Sequence, residues 1–151
     1  MSESNPIRVF IVHPFREYPD YLRVFEYMES RPNFYYQNCS RPDAPAGGTD
    51  GEARKEELQR QMESCEIVVL PVTAFALDPV LVTFQVNSAK ALKKPVLAIK
   101  SFGDTLALSR SLLEKADDIV DWNDRAITEA IKRLARQDSS GQWEVIEFTL
   151  E

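Results

Sequence analysis

The fold is decided by the stretch IVVLPV at residues 67–72, an unbroken apolar run in the middle of the chain. A strand covered on both faces lacks the usual alternation of apolar and polar residues, and such strands occur in parallel sheets flanked by helices. On either side of it in the chain, β-rich runs lie at residues 7–12 (IRVFIV) and 95–99 (PVLAI). These runs predict an α/β fold with residues 67–72 as a central strand.

Helix-start signals separate the strand-like runs. Asp78 and Pro79 supply an N-cap and a proline at the first helical position, and Asn123 caps a clearly amphipathic pattern. Thr49 and Glu52 have the spacing of a capping box. The predicted strands are residues 7–12, 34–36, 67–72, 95–99 and 118–121, and the predicted helices are residues 19–28, 49–65, 79–92, 106–114 and 123–134. Because strands alternate with helices, we predict a mainly parallel five-stranded sheet wrapped on both faces.

The end of the chain has a different pattern. Residues 142–150 alternate with apolar side chains on both faces, which predicts a further strand. Two pairings remain open for it, an antiparallel sixth strand on the chain's own sheet or a strand paired with another chain. The 151 residues predict a single domain, with a core at about 7–136 and this C-terminal extension. The proline- and glycine-rich loop at residues 38–51 is expected to be a mobile lid or a partner-facing surface.

Charge and composition exclude several classes of function. A net charge of −6 without a clustered basic face disfavours nucleic-acid binding, which needs cations along a phosphate backbone. The first residues lack a signal-peptide pattern and no apolar run reaches the ~18 residues of a membrane span, so we expect a cytoplasmic protein without a membrane partner. Cys39 and Cys65 give neither a disulfide framework nor a metal-ligand spacing, so no metal is expected.

The predicted ligand-binding edge lies beyond the carboxyl ends of the strands, where open parallel sheets bind their ligands. The segments that leave those ends are residues 13–15, 38–40, 73–75, 101–103 and 122–123. Their aromatic walls with few polar groups suit a nucleobase or a ribose, although Phe15, Phe102 and Trp122 fit core packing at least as well. His13 is the only histidine, and both a ligand-facing and a structural role remain open for it. The chain has no P-loop, no GxGxxG fingerprint and no metal motif.

Four segments, taken together, resemble a known family. They are residues 10–15 with Tyr18 and Tyr21, residues 32–42, residues 94–99 with Phe102 and Gly103, and residues 119–123. Their order and spacing are similar to those of the Toll/interleukin-receptor-like (TIR-like) family of prokaryotic antiphage defence, which includes the ThsB proteins of Thoeris systems. The resemblance covers about residues 7–135, and only the tail is extra.

This resemblance implies a three-layer flavodoxin-like fold and chemistry on NAD as a substrate. In the family, the glycosidic bond to nicotinamide is broken and the ADP-ribosyl part is released, cyclised or conjugated as a nucleotide signal. The reaction passes through an oxocarbenium-like cation, which a carboxylate beside the ribose stabilises. As partners, the resemblance implies a nucleotide small molecule and either a homo-oligomer or a downstream defence effector.

The sequence departs from the family at the position of that carboxylate. The family has a glutamate on the helix after the third strand, one turn beyond a tryptophan, and these positions here hold Gln85 and Leu81. Glutamine is isosteric but neutral, and losing such a charge costs on the order of 100-fold in rate. Either the site is naturally degenerate or a glutamate has been replaced to trap a complex, and the missing tryptophan favours natural divergence.

Two functions therefore stay open. One is a Thoeris-type enzyme that acts on NAD to make an ADP-ribose-derived signal, and the other is a degenerate module that binds a nucleotide or a partner protein and acts by assembly. Gln85 occupies the catalytic position, and the candidate ligand-binding residues are His13, Pro14, Phe15, Asn38, Ser40, Thr73, Phe75, Leu81 and Phe102. If Gln85 lies at the strand-end cleft, its replacement by glutamate is expected to restore NAD cleavage.

Overall fold

The computed structural model describes residues 1–44, 51–100 and 110–137, and five strands form one sheet within them. The strands are β1 (Ile7–Ile11), β2 (Tyr36–Asn38), β3 (Ile67–Pro71), β4 (Val96–Ile99) and β5 (Asp118–Val120). Every neighbouring pair is parallel, and the order across the sheet is β2-β1-β3-β4-β5. The predicted five-stranded parallel α/β fold is thus confirmed, and its strand order is that of flavodoxin-like proteins.

Helices cover both faces of the sheet. Those in the described residues are α1 (Pro19–Glu29), α2 (Gly51–Glu63), α3 (Ala74–Leu77), α4 (Pro79–Ala91), α5 (Arg110–Lys115) and α6 (Asp124–Arg136). Helix α1 contacts α6, whereas α4 contacts α2 and α5, so the sheet lies between two helical layers. None of the described helices is long and apolar enough to cross a membrane.

Burial of the central strand explains why residues 67–72 decide the fold. All residues of β3 and all residues of β4 are buried. Val9 of β1 pairs with Ile67, and Val68 pairs with Val96 of β4, so β3 has a strand on each side. With a helical layer on each face as well, the strand is removed from water, which is why its sequence has no polar alternation.

The second strand is shifted from its predicted position. The aromatic residues 34–36 predict a strand, but β2 covers Tyr36–Asn38. The Cys39 amide donates a hydrogen bond to the Val9 carbonyl oxygen at 2.7 Å, so the pairing with β1 extends beyond the aromatic residues. Phe34 instead packs into the core before the strand begins. The register is therefore set by the neighbouring strand and not by the local aromatic run.

The predicted helix starts at Asp78 and Asn123 are confirmed. Each side chain accepts a hydrogen bond from the amide three residues further on, at 3.1 Å and 2.8 Å respectively. No sequence signal predicts α3, because four residues are too short to show a helical period. Helix α2 ends at Glu63, so Cys65, the last residue of the predicted helix 49–65, lies beyond the helix although it is buried.

Both cysteines are free thiols. Burial raises the pKa of the Cys65 thiol to about 12. Cys39 is half-buried and follows β2 directly.

A cluster of ion pairs connects the elements at the amino ends of the strands, which we call the amino edge of the sheet. Glu66, directly before β3, accepts hydrogen bonds from Arg136 Nε at 2.7 Å and from Arg8 Nε at 3.1 Å. Arg136, the last residue of α6, also donates to the carbonyl oxygens of Asn5 and Pro6. The Arg136 guanidinium is the main cause that lowers the pKa of Glu66 to about 2. We call Arg8, Glu66 and Arg136 the amino-edge clamp, since they join β1, β3 and α6.

Several predictions fall on residues outside the described ranges. They concern Thr49 in the capping box, the strand exit at residues 101–103 with Phe102, the first part of the helix at 106–114, residues 45–50 of the long loop, and the C-terminal strand at 142–150.

Candidate functional site

The carboxyl edge of the sheet brings three of the predicted exit segments together. Residues 13–15 follow β1, residues 38–40 end β2 and follow it, and residues 73–75 follow β3. Strands β1 and β3 are neighbours, but β1 leads into α1 in one helical layer and β3 leads to α4 in the other. Such a switch point opens a crevice at the carboxyl edge, where parallel sheets bind ligands.

His13 lies at this edge and is completely buried. Its Nδ1 accepts a hydrogen bond from the Phe15 amide at 3.0 Å, so the proton of the neutral ring is on Nε2. Nε2 donates to Gln61 Oε1, also at 3.0 Å. Because both ring nitrogens are engaged within the protein, the geometry favours the structural role for His13.

Burial controls the protonation of His13. Removal of the ring from water lowers its pKa to about 4, and the hydrogen bond to Gln61 and the charges of Glu57 and Asp43 oppose this shift only in part. At neutral pH the imidazole is therefore uncharged, with one donor and one acceptor. A general base needs an accessible acceptor, and the acceptor Nδ1 is already occupied by the Phe15 amide.

Gln85, in the position of the family glutamate, is also completely buried. Its Oε1 accepts a hydrogen bond from the His13 amide at 3.1 Å. Its Nε2 donates to the carbonyl oxygens of His13 at 2.8 Å and Leu81 at 3.0 Å. An ionised glutamate has no N–H to replace the two donated bonds. Gln85 thus lies against the end of β1, but its side chain forms hydrogen bonds with the backbone of His13 and Leu81 and does not face solvent.

A second buried glutamine, Gln61 of α2, is absent from the residues that the sequence singles out. Besides the His13 ring it holds Arg41, accepting from the Arg41 amide at 2.8 Å and donating to the Arg41 carbonyl oxygen at 3.1 Å. It thereby connects the exit of β1, the segment after β2, and α2. The sequence does contain one signal that Gln61 is buried, namely its spacing. Gln61 follows Leu58 by three residues and therefore shares the buried face of the helix.

Phe15 adopts a strained backbone conformation. Its φ is 62°, in the left-handed region that residues other than glycine seldom adopt. The half-buried ring packs edge-on against His13, and the Arg54 guanidinium lies over it at 5.5 Å from the centroid. Strain of this kind persists where the surroundings fix the residue, and it concentrates at ligand-binding sites. The contacts with His13 and Arg54 thus hold Phe15 in this conformation.

Three polar side chains form a closed ring of hydrogen bonds near Phe15. Ser40 Oγ donates to Asn38 Oδ1 at 2.5 Å, and Asn38 Nδ2 donates to Tyr21 Oη at 3.4 Å. The Tyr21 hydroxyl then donates to Ser40 Oγ at 2.9 Å and completes the ring. Burial raises the pKa of Tyr21, so its hydroxyl keeps the proton that this ring needs.

These groups line an open cleft of about 380 Å³ between the exits of β1 and β2. Its walls are Phe15, Arg16, Glu17, Tyr21, Asn38, Ser40, Pro42 and Asp43. The volume falls in the range of small-molecule sites, roughly 300–1,000 Å³. The cleft offers one aromatic face together with hydroxyl, amide and charged groups. Phe15, Asn38 and Ser40 are the predicted ligand-binding residues that it brings together.

Thr73 lies in another crevice, of about 200 Å³, between the exits of β1 and β3. Its hydroxyl donates to Asp20 Oδ2 at 2.6 Å, and Tyr18 and Leu77 line the same space. The Tyr18 hydroxyl donates to the Val12 carbonyl oxygen at 2.5 Å. This crevice is small, and its two polar side chains bind each other, so the cleft beside Phe15 is the better candidate for a ligand.

The remaining predicted residues have packing roles or lie elsewhere. Phe75 packs against the core, and Leu81 belongs to it. Pro14 is partly buried between His13 and Phe15. Among the residues that the structure describes, no group of three histidine, cysteine, aspartate or glutamate side chains is placed to hold a metal ion.

No protein-family model matches the chain, and no curated protein matches it with significant similarity. The TIR-like resemblance therefore rests on the sequence segments alone.

Proposed function

We propose that the protein is a catalytically degenerate TIR-like module of Thoeris-type antiphage defence, which binds a nucleotide in the cleft beside Phe15. It acts by assembly with further copies or with a downstream effector. The observation that carries this proposal is Gln85, whose amide is engaged with the backbone of His13, so that α4 presents no carboxylate to a ribosyl cation. NAD, or a nucleotide derived from it, is the proposed ligand.

The chemistry of the cleft supports a nucleotide. The ring of Phe15 provides a stacking surface for a base, which tolerates different bases because each has a π-face. Asn38 uses one N–H of its amide for Tyr21, which leaves the second N–H as a donor to the ligand. Glu17 and Asp43 on the cleft wall are suited to accept hydrogen bonds from ribose hydroxyls.

A cytoplasmic location is part of the proposal. Cys39 and Cys65 are both free thiols, as is usual in a reducing compartment. A soluble nucleotide ligand fits the same location.

Calorimetry with NAD and ADP-ribose tests the proposed binding. Phe15→Leu is expected to weaken binding about tenfold, since stacking on one aromatic ring contributes roughly 1–3 kcal/mol. Phe84→Leu is the matched control, because the Phe84 ring is also half-buried beneath a cation, Lys55, but does not line the cleft. Absence of binding by the wild type, or equal effects of the two variants, would contradict the proposal.

A second candidate is cleavage of NAD by a carboxylate other than the family glutamate. It is favoured by Glu17 and Asp43, which line the same cleft as Phe15. Nicotinamide release by the wild type, abolished by Glu17→Gln or Asp43→Asn, would replace the degenerate module with this enzyme. Under the first proposal, NAD binds and no nicotinamide is released.

A further inference from the structure

Both walls of the cleft are held from the interior by one side chain that does not line it, Gln61. Phe15 belongs to the exit of β1, whereas Pro42 and Asp43 belong to the segment after β2. Gln61 of α2 is 6% exposed and forms hydrogen bonds with both of these segments. The shape of the cleft therefore depends on a residue that is not among its lining residues.

The first wall is connected to Gln61 through the imidazole of His13. Nε2 of this ring donates to Gln61 Oε1, and Nδ1 accepts a hydrogen bond from the Phe15 amide, each at 3.0 Å. The backbone of His13 is itself fixed, because its amide and its carbonyl oxygen bind the side chain of Gln85. A rigid ring thus links Gln61 to the residue that provides the aromatic surface of the cleft.

The second wall is a β-turn at residues 41–44. A hydrogen bond of 3.1 Å joins its first carbonyl oxygen to its last amide, and Pro42 and Asp43 between them line the cleft. Gln61 binds both backbone groups of Arg41, accepting from the amide at 2.8 Å and donating to the carbonyl oxygen at 3.1 Å. Gln61 thereby fixes the residue at which the turn begins.

The side-chain amide of Gln61 has no capacity left for a ligand. Its Oε1 accepts from His13 and Arg41, and its Nε2 donates to Arg41 and to Glu57. A glutamine amide has two N–H donors and one oxygen with two lone pairs, so its full capacity is used inside the protein. Gln61 is therefore a positioning residue, and its hydrogen bond to Glu57 connects it to the side chains of α2.

We propose that Gln61 sets the affinity of the cleft by fixing the Phe15 ring and the turn at residues 41–44 relative to each other. This inference rests on the proposed nucleotide binding and deepens it. A nucleotide that stacks on Phe15 and donates a ribose hydroxyl to Asp43 contacts both walls at once, so its affinity depends on their separation. The same hydrogen bonds transmit occupation of the cleft through His13 and Gln61 to α2.

Gln61→Met removes these hydrogen bonds at nearly constant volume. By titration calorimetry we expect it to weaken NAD binding about tenfold, as much as the loss of the aromatic ring in Phe15→Leu. Thr128→Val is the matched control for a buried hydrogen-bonding side chain. Thr128 is 3% exposed, its hydroxyl donates to backbone oxygens of α6, and it does not line the cleft. This control should lose stability and keep its affinity for NAD.

A double-mutant cycle separates positioning of Phe15 from a general loss of stability. Two independent losses of about tenfold would multiply to about a hundredfold in the variant that combines Gln61→Met with Phe15→Leu. If Gln61 acts by placing the ring, the combined loss is clearly smaller. Multiplicative effects, or equal NAD affinity of Gln61→Met and the wild type, would overturn the inference and leave nucleotide binding intact.

The wild type decides if Gln61→Met does not fold. Adding NAD should shift the NMR signals of the His13 ring and of the Gln61 side-chain amide, although neither lines the cleft. Unchanged signals at saturating NAD would overturn the inference.

Hydrogen exchange decides if NAD does not bind, a result that overturns the proposed function itself. In the ligand-free protein, Gln61→Met should accelerate exchange of the Phe15 amide, which is connected to Gln61 through the His13 ring. An unchanged exchange rate at Phe15 would show that Gln61 does not hold this wall.

Discussion

Gln85 uses both atoms of its side-chain amide inside the protein, which changes what a glutamate at this position is expected to do. An ionised carboxylate would face the carbonyl oxygens of His13 and Leu81 without a donor. We predict that Gln85→Glu destabilises the fold by on the order of 3 kcal/mol at neutral pH and does not restore NAD cleavage. Denaturant unfolding and a nicotinamide-release assay measure the two effects.

The pH dependence of Gln85→Glu provides an internal check. Burial raises the pKa of a carboxyl group, so the loss of stability relative to the wild type should be smaller near pH 6 than near pH 9. Gln85→Met, which has a similar shape but no titratable group, should lose the same stability at both pH values. Efficient nicotinamide release by Gln85→Glu would show that the side chain reaches the ligand after all.

The lowered pKa of His13 predicts that the fold loses stability in mild acid. Its pKa is lowered from 6.5 in the unfolded chain to about 4 in the fold, so between these values the unfolded chain binds the proton and the native protein does not. The stability present above pH 6.5 should therefore fall as the pH drops towards about 4, by on the order of 3 kcal/mol. His13 is the only histidine of the chain, so no other imidazole contributes to the change in stability between these two pH values. Unfolding midpoints measured across the window should lose this slope in His13→Asn.

Helix α2 and the segment after β2 are held together by one side chain, Gln61. Gln61→Met keeps the volume but removes the hydrogen bonds to Arg41 and to the His13 ring. We expect faster hydrogen exchange of the Arg41 amide and a His13 pKa that falls further, because the Gln61 hydrogen bond raises it. Gln59→Met, on the exposed face of α2, is the control. Unchanged exchange at Arg41 would mean that the segment is held in another way.

The amino-edge clamp should control the unfolding of the protein in strong acid. The arginines lower the pKa of Glu66 to about 2, so its contribution is present above about pH 4.5 and is lost as the pH falls through about 2. Glu66→Gln should cost roughly 1–3 kcal/mol at neutral pH and flatten the acid transition below pH 4.5. Glu63→Gln, exposed at the end of α2, should change neither in the same denaturation experiment.

The sequence predicts the strands of the core well because their signal is local. The apolar runs of β1, β3 and β4 have no polar alternation, and this follows directly from burial on both faces. The position of β2 does not follow from its own residues, since the backbone of β1 decides where the pairing continues to Cys39. Short strands at a sheet edge carry too little pattern to fix their bounds.

The candidate site is only partly predictable for a related reason. The sequence predicts that Phe15, Asn38 and Ser40 lie at one edge because the carboxyl ends of parallel strands meet there, and the structure places these three residues in one cleft. The roles of Gln61 and Gln85 depend on how closely α2 and α4 approach the end of β1, which no single segment encodes. The same holds for Arg54, whose guanidinium on α2 lies over the Phe15 ring, a contact between segments that are far apart in the sequence.

The two thiols give the protein a natural position for a spectroscopic label. Cys65 is buried and its pKa is about 12, so at neutral pH it is protonated and unreactive. Cys39 is half-buried and lies between Asn38 and Ser40, two residues of the cleft. A maleimide fluorophore should therefore attach at Cys39 alone, which mass spectrometry of wild type and Cys39→Ser would verify. Because Cys39 packs against the core and does not line the cleft, a change in emission on addition of NAD would report a rearrangement of the segment after β2, without the introduction of any new cysteine.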